Sequence, residues 1–508
     1  PHAVKDALGL PARLGLAFFC GLGFALAFPP FGVAWLALLA PAGLVLLCRG
    51  VRPRRGAAIG FVFGLGFFGL LLKWISILGL DAWLALSAIE AAFLAIFGAL
   101  AAVVTRLRWW PLWASALWVG AEYARAHYPL GGFPWGRAAY AVGDTPLAAL
   151  ASLGGVPTVS FLVVLAGSLL MWALVVRRGR RLRLTAAVAA SVIVVAGLVV
   201  PLPSMADRTP AGTDVVGIVQ GNVPGEGMEF LGRARTVTKN HLAATRELMT
   251  KVEAGTHPRP DWVLWPENST DIDPFEDAET RRTVEEAVEV AGVPVLVGAI
   301  LSGPGPSHRQ TAGVVWDPRS GPGEVYAKRH PVPFGEYIPF RDLLLPYIDR
   351  LQMVGRDTYP GSDPGSMTIA GTPIGEVICF EIAYDEIVAD VADDGRSRLL
   401  VVQSNNATYT GSGQADQQFA ITRLRAIEYG KVTLVATPNG ISGVIGPDGE
   451  ITWKSPEAER ATTVVEVPKR TTRTLAATLG TLPELLLVIV GLSAAALAVH
   501  RSRRRPAT

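Results

Sequence analysis

Apolar residues run almost without interruption through the first two hundred positions, broken at intervals by proline, glycine and short clusters of arginine. Seven stretches, at about 14–29, 31–48, 57–78, 81–104, 111–126, 157–176 and 184–203, approach the roughly 20 residues that a helical bilayer span requires, the first two and the fifth being the least certain in length. An eighth lies at about 479–499. Between the seventh and the eighth the pattern changes. From Asp214 onward short apolar runs (Val215–Val219, Trp262–Trp265, Val293–Ala299, Gly313–Trp316, Leu399–Gln403, Val432–Ala436) alternate with charge-rich, helix-compatible stretches such as Arg233–Gly255 and Arg281–Ala291. Short runs of this kind are strands of a largely buried sheet, and their alternation with helices predicts an α/β domain. The expected division is a membrane domain at 1–203, a polar α/β domain at 204–475, and a last span with a basic tail at 476–508.

Composition supports the membrane reading. Half of the 508 residues are hydrophobic and mean hydropathy is +0.36, too apolar for an ordinary soluble enzyme. The net charge of +3 is small, and the basic residues fall in clusters beside apolar segments rather than on one polar face, so no nucleic-acid partner is expected. Those clusters, at Arg49/Arg52/Arg54/Arg55, Arg106/Arg108, Arg177/Arg178/Arg180/Arg181/Arg183 and Arg501/Arg503/Arg504/Arg505, each follow an even-numbered span. By the positive-inside rule both termini are then cytoplasmic and the polar domain lies outside. The first apolar stretch closes on Phe28-Pro-Pro30 without a small-residue cleavage site, and is expected to remain as a helix.

Candidate chemistry sits at the ends of three strand-like runs: Asp261-Trp-Val-Leu-Trp-Pro-Glu267, Glu324-Val-Tyr-Ala-Lys328, and Val377-Ile-Cys379. A carboxylate, an ammonium and a thiol suit covalent acyl transfer. A thiol with its ordinary pKa of about 8.5 needs a base, which Glu267 could supply, and Lys328 could hold the negative oxygen of a tetrahedral intermediate. Taken singly, the three read as a small buried hydrophobe, a solvated acid and a surface lysine. Of the three cysteines, Cys20 and Cys48 fall in predicted membrane helices, which leaves the Cys379 thiol without a disulfide partner in the polar domain. The seven histidines lack metal-ligand spacing, and phosphate-loop and dinucleotide signatures are missing, so no metal or cofactor is expected. Glu90 lies mid-span, while Glu122 and Arg125 are spaced to pair on one helix face.

The stretches Leu264-Trp-Pro-Glu-Asn268, Tyr326-Ala-Lys328 with Val332-Pro-Phe-Gly-Glu336, and Ile378-Cys-Phe-Glu-Ile382 resemble, in order and spacing, the three catalytic segments of the nitrilase superfamily. The run from Pro333 to Pro339 and the later Ser404-Asn-Asn406 resemble its membrane-embedded branch, the apolipoprotein N-acyltransferases. The resemblance implies a nitrilase-like αββα sandwich beside the membrane helices, a catalytic Glu267, Lys328 and Cys379, and supporting carboxylates at Glu336 and Glu381. It also implies an enzyme of the bacterial plasma membrane that moves a phospholipid acyl group, through a Cys379 thioester, to the α-amine of an N-terminal S-diacylglyceryl-cysteine on a lipoprotein. A polyprenyl-phosphate mannosyltransferase, to which some actinobacterial relatives are linked, enters as a candidate partner. Trp265, Tyr337, Leu343, Leu344, Phe380, Tyr409 and Trp135 are the expected substrate or lipid contacts. The run Tyr337–Ile348 is too apolar for a connecting loop, and either packs on the core or dips toward lipid as the family's arms do. The tryptophan that members often carry after the opening strand is replaced by Met228-Glu-Phe230, Tyr409 stands where an aromatic of a Trp-Phe-Gly run is common, and Phe380 stands where some members have tyrosine. Two rival readings stay open: a membrane-tethered amidase in which water resolves the acyl-enzyme, and a non-catalytic membrane scaffold.

Overall fold

A computed structural model describes residues 8–175, 179–207, 211–223, 235–393 and 397–503. Arg177, Arg178, Arg504, Arg505 and the Met228–Phe230 segment lie outside the described residues. The chain divides into two compact units, Pro1–Pro201 with Leu479–Thr508, and Leu202–Thr478.

The first unit is helical. Its helices are α1 (Leu10–Leu26), α2 (Leu36–Cys48), α3 (Pro53–Leu71), α4 (Leu80–Val104), α5 (Trp110–His127), α6 (Ala151–Val175), α7 (Arg180–Ala196) and the C-terminal helix Leu482–Arg503. Among the described residues, five helical segments are long and apolar enough to cross a membrane: Pro53–Leu71, Leu80–Val104, Pro146–Val175, Arg180–Val199 and Leu482–Ser502. α1 and α2, at 17 and 13 residues, are shorter. α6 begins earlier than hydropathy suggests and is broken at Gly154 and Gly155, just before Pro157, whose ring cannot continue a regular helix with the preceding turn. α3 and α4 pack backbone to backbone. Gly56, Gly60 and Gly64, four residues apart, form one face of α3, and a β-carbon at Gly64 would lie 2.6 Å from the Cα of Ala91.

Buried charges in this unit correct one expectation. Arg125 donates to Glu90 at 2.6 Å and to the Trp135 carbonyl at 2.9 Å, not to Glu122. Glu122 instead accepts from the Trp118 indole and from the Ala138 N–H, both at 2.7 Å. Both carboxylates therefore serve the irregular segment after α5. Buried non-helical backbone in an apolar bundle needs such partners, and side chains supply what a helix would have supplied internally.

The second unit has two sheets. Its strands are β1 (Thr213–Gln220), β2 (Trp262–Leu264), β3 (Val295–Ser302), β4 (His308–Asp317), β5 (Gly321–Ala327), β6 (Asp357–Thr358), β7 (Ser366–Ile369), β8 (Thr372–Ile378), β9 (Leu399–Gln403), β10 (Thr433–Ala436), β11 (Gly443–Ile445), β12 (Ile451–Lys454) and β13 (Ala461–Pro468). One sheet has the order β13-β1-β2-β3-β4-β5, with β6 beside β4, and the other the order β12-β11-β10-β9-β8-β7. Alternate residues divide between two cores. Val216, Ile218, Trp262, Leu264 and Leu296 face the second sheet's Ile374, Ile378, Leu399, Val401 and Leu434. Val219, Val263, Trp265, Val295 and Val297 face the helices α8 (Thr236–Glu253) and α9 (Ala278–Ala291). Helices Asp385–Asp393 and Gln414–Tyr429 pack on the second sheet, completing an αββα sandwich. A strand covered on both faces has no solvated side, which is why these runs lack polar alternation.

Candidate active site

The sandwich brings three strand ends together. Glu267 follows β2, Lys328 directly follows β5, and Cys379 directly follows β8. Cys379 has φ +57° and Asn268, next to Glu267, has φ +54°. The left-handed region is disfavoured for side chains with a Cβ, and such strain persists only where the surroundings hold it.

At Cys379 those surroundings are identifiable. Cys379 opens a tight turn, Cys379–Ala383, in which Glu381 is fully buried. Glu381 Oε2 accepts from the Ile378 N–H at 2.7 Å and the Tyr326 hydroxyl at 2.9 Å, and its Oε1 accepts from the N–H groups of Arg329 at 2.6 Å and His330 at 3.0 Å. One carboxylate thus stitches the turn that carries Cys379 to the loop that carries Lys328. From the other side Arg425, also fully buried, donates to the carbonyls of Ile382 at 3.0 Å and Ala383 at 2.9 Å, its charge met by Asp385 and Glu428 at 2.6 Å each.

Lys328 Nζ lies between two carboxylates, 3.1 Å from Glu267 Oε1 and 2.9 Å from Glu336 Oε1. Glu336 is itself held by the Val332 N–H on its other oxygen, at 2.7 Å. Burial opposes the ammonium, but Glu267 and Glu336 outweigh it and hold Lys328 well above the usual lysine range. Burial raises Glu267 above the carboxylate range, and Lys328 partly offsets this. Burial, followed by the Glu267 charge, pushes the Cys379 thiol up to about 12. The thiol is therefore protonated at rest, with the Glu267 carboxylate within interaction range. Glu267 Oε2 carries no hydrogen bond among the described residues and is the oxygen available to take the thiol proton.

The remaining expected contacts divide. Tyr409 is placed by the site, its hydroxyl raised first by burial and then by Cys379 and Glu336. Tyr337 and Leu344 are half-buried, whereas Leu343 is 65% exposed, with Phe340 at 70% and Tyr347 at 83%. Ile338 and Pro339 are the buried residues of this run, and Arg341 ties the segment to Asp357 at 3.0 Å. The run is an exposed apolar crest on a fixed base. The other three expected contacts are buried. Trp265 turns to the helix side of its sheet, fully buried, with its indole on Thr245. Phe380 is buried and meets Tyr384 edge to face, and Trp135 is buried beside Trp74 and Phe133 in the helical unit. Glu381's stitching role, Arg425 and Ser404 were not foreseen; the strand-end positions of Cys379 and Ser404 were the available signal.

A thiol, a carboxylate and an ammonium gathered at strand ends of an αββα sandwich define a carbon–nitrogen hydrolase fold, and residues 217–477 match the carbon-nitrogen hydrolase family. Residues 20–169 match the apolipoprotein N-acyltransferase N-terminal domain. An apolipoprotein N-acyltransferase of Mycolicibacterium smegmatis is 39% identical, covering 99% of this chain and 88% of the relative. One from Pseudomonas putida is 31% identical, covering 90% of this chain and 91% of the relative. A solved amidase from Nesterenkonia sp. is similar at 15% identity and TM-score 0.37, covering 51% of this chain and 92% of that one. The chain belongs to the apolipoprotein N-acyltransferase family, and with its apolar helices it is a membrane-bound acyltransferase.

Proposed function

We propose that the protein forms an N-acyl amide in two half-reactions on Cys379. In the first, Glu267 takes the thiol proton as the sulfur attacks the carbonyl of a phospholipid acyl ester. Lys328 holds the resulting oxyanion. The ester C–O bond then breaks, Glu267 returns its proton to the departing lysophospholipid oxygen, and a thioester remains on Cys379. In the second, the α-amine of an N-terminal S-diacylglyceryl-cysteine attacks the thioester and gives up a proton to Glu267. The C–S bond breaks, and the released thiolate recovers that proton. Both half-reactions conserve protons and need no oxidant, nucleotide or metal.

The observation that carries this reading is the chain of Glu336, Lys328, Glu267 and Cys379, with Lys328 and Glu267 buried, in which the cation is fixed, the base retains an unbonded oxygen, and the thiol waits protonated. The helical unit supports a lipid donor, because a small soluble amide would require no more than an anchor. The exposed crest around Phe340, Leu343 and Tyr347 suits contact with a lipid surface. The arginine pattern supports a plasma-membrane orientation with 204–475 extracytoplasmic. Incubation with phospholipid alone, followed by peptide mass analysis, tests the chemistry. The expected product is one hydroxylamine-labile acyl group on Cys379, which added diacylglyceryl-cysteine peptide removes to its α-amine. Free fatty acid without amide product would replace the transferase by the amidase, and failure to form an adduct would favour the scaffold.

A further inference from the structure

Cys379 lies one residue past β8, and Ser404 one residue past β9. These strands are parallel neighbours whose register pairs Ile378 with Gln403, so the nucleophile and the serine leave the sheet side by side. The Ser404 side chain and the Asn405 backbone N–H beside it both favour the charged form of the Cys379 thiol. Ser404 is fully buried.

Behind Ser404 stands a closed set of buried amides. Asn406 Nδ2 donates to Gln414 Oε1 at 2.7 Å and to Gln418 Oε1 at 2.9 Å, and Gln414 Nε2 donates to Gln418 Oε1 at 3.0 Å. With its oxygen taken by two donors, Gln418 turns its nitrogen to Ser404 and donates to Oγ at 2.7 Å. A hydroxyl has one proton, and a serine that accepts from Gln418 must place that proton on an acceptor. Two are in reach. Asn406 Oδ1 is 3.3 Å away, beyond the usual O–H···O separation of about 2.5–3.0 Å. The other is the Cys379 sulfur, a weak acceptor as a thiol and a strong one as a thiolate.

We propose that Ser404 is a further catalytic residue of this site, its hydroxyl directed by the Gln418–Gln414–Asn406 amides to donate to the Cys379 sulfur whenever that sulfur bears negative charge. The proton stays on Ser404 throughout. The bond strengthens as Glu267 removes the thiol proton, and again as the sulfur leaves the acyl group in the second half-reaction. The inference deepens the covalent reading above and rests on it. The charged and titratable groups facing the sulfur are Glu267 and Lys328, with Glu336 behind Lys328, and Tyr409. None is altered by a change at Ser404.

The test follows alkylation of Cys379 by iodoacetamide in the full-length detergent-solubilised protein, read at the Cys379 peptide by mass spectrometry across neutral to alkaline pH. It needs neither acyl donor nor acceptor. Ser404→Ala should slow alkylation about three- to tenfold at each pH, since a hydrogen bond to a charged group is lost while the more basic thiolate regains some nucleophilicity. Ser404→Thr should recover most of the rate. Gln418→Met, which keeps the hydroxyl but removes the group that orients it, should give an intermediate loss. Thermal unfolding of each variant controls for folding. An unshifted pH–rate profile in folded Ser404→Ala would overturn the proposal, even if acyl transfer fell, because a merely structural serine would not move it. Wild-type rates in Gln418→Met would overturn the directing role of the amides. A shifted profile in a protein that forms no thioester would leave the hydrogen bond standing and remove the covalent reading instead.

Discussion

Glu376 offers a test of the inter-sheet core, because it is a buried acid that the chemistry does not use. It sits on β8 with no exposure, and neither carboxyl oxygen has a hydrogen-bond partner among the described residues. The first sheet makes room for it at Gly313, where a β-carbon would collide with the carboxyl group. Burial, and then the charge of Glu381, hold its carboxyl well above the usual range. The native state therefore holds this proton to a higher pH than the unfolded chain does. Between the unfolded pKa and the raised folded one, the native state binds one proton more. The contribution is accordingly full below the unfolded pKa of about 4.3 and is lost as pH rises toward the folded pKa, at about 1.4 kcal/mol per pH unit. Glu376→Met, similar in length, removes this slope together with the cost of an unpaired buried polar group, about 1–3 kcal/mol. Thermal unfolding of the full-length protein in detergent, followed by tryptophan fluorescence at several pH values between about 5 and 8, should show Glu376→Met above wild type by a margin that widens with pH. Glu376→Gln should flatten the same slope while keeping the unpaired polar cost. Parallel pH profiles, or a methionine variant below wild type throughout, would refute the reasoning.

Other expectations follow from the site and the crest. Lys328→Ala should abolish thioester formation with a loss of about 3–4 kcal/mol in transition-state stabilisation, measured as single-turnover acylation, whereas Cys20→Ser and Cys48→Ser should leave that rate unchanged. The double variant Phe340→Ser with Leu343→Ser should unfold at the wild-type temperature, since both side chains are exposed, but should bind phospholipid vesicles more weakly, each side chain forfeiting up to about 1.5–3 kcal/mol of burial in lipid. A membrane-impermeant thiol reagent on intact cells should label Thr256→Cys and not Arg54→Cys, both exposed positions. Labelling of Arg54→Cys from outside would invert the orientation.

Where one face of an element set its pattern, the sequence was readable. β1, β2, β3 and β9 appear as continuous apolar runs because helices cover one face and the opposite sheet the other. β12 and β13 were harder to see. β12 is an exposed edge strand, and β13 pairs with β1 through a mixed stretch of threonine, valine and glutamate whose burial is partial, so neither presents a strong hydrophobic signal. In the helical unit hydropathy located every helix but not every end. Gly154 and Gly155 break α6 without ending it, a distinction that backbone angles show and composition does not.

The site divides along the same physical line. Glu267, Lys328 and Cys379 were legible because each closes an apolar run and carries reactive chemistry. Glu336 and Glu381 were expected as supports from the resemblance, but the place of Ser404 and the way Glu381 acts were not legible, because a support acquires its role from a register. Ser404 meets Cys379 only because β8 and β9 are parallel with Ile378 opposite Gln403; a shift of one residue would turn it to the other face of the sheet. Glu381 resembles a counter-ion when counted from the nucleophile, yet its four donors are three backbone N–H groups and one tyrosine hydroxyl, which fix two loops. The charge of Lys328 is met instead by Glu267 and Glu336, a trio with one net negative charge when both are ionised. Burial first, and then the Glu267 charge, explain why a thiol beside a lysine stays protonated. In the proposed reaction, thiolate formation is disfavoured until a substrate carbonyl arrives to carry the negative charge onto an oxygen that Lys328 would hold, which would restrain Cys379 until its acyl donor is in place.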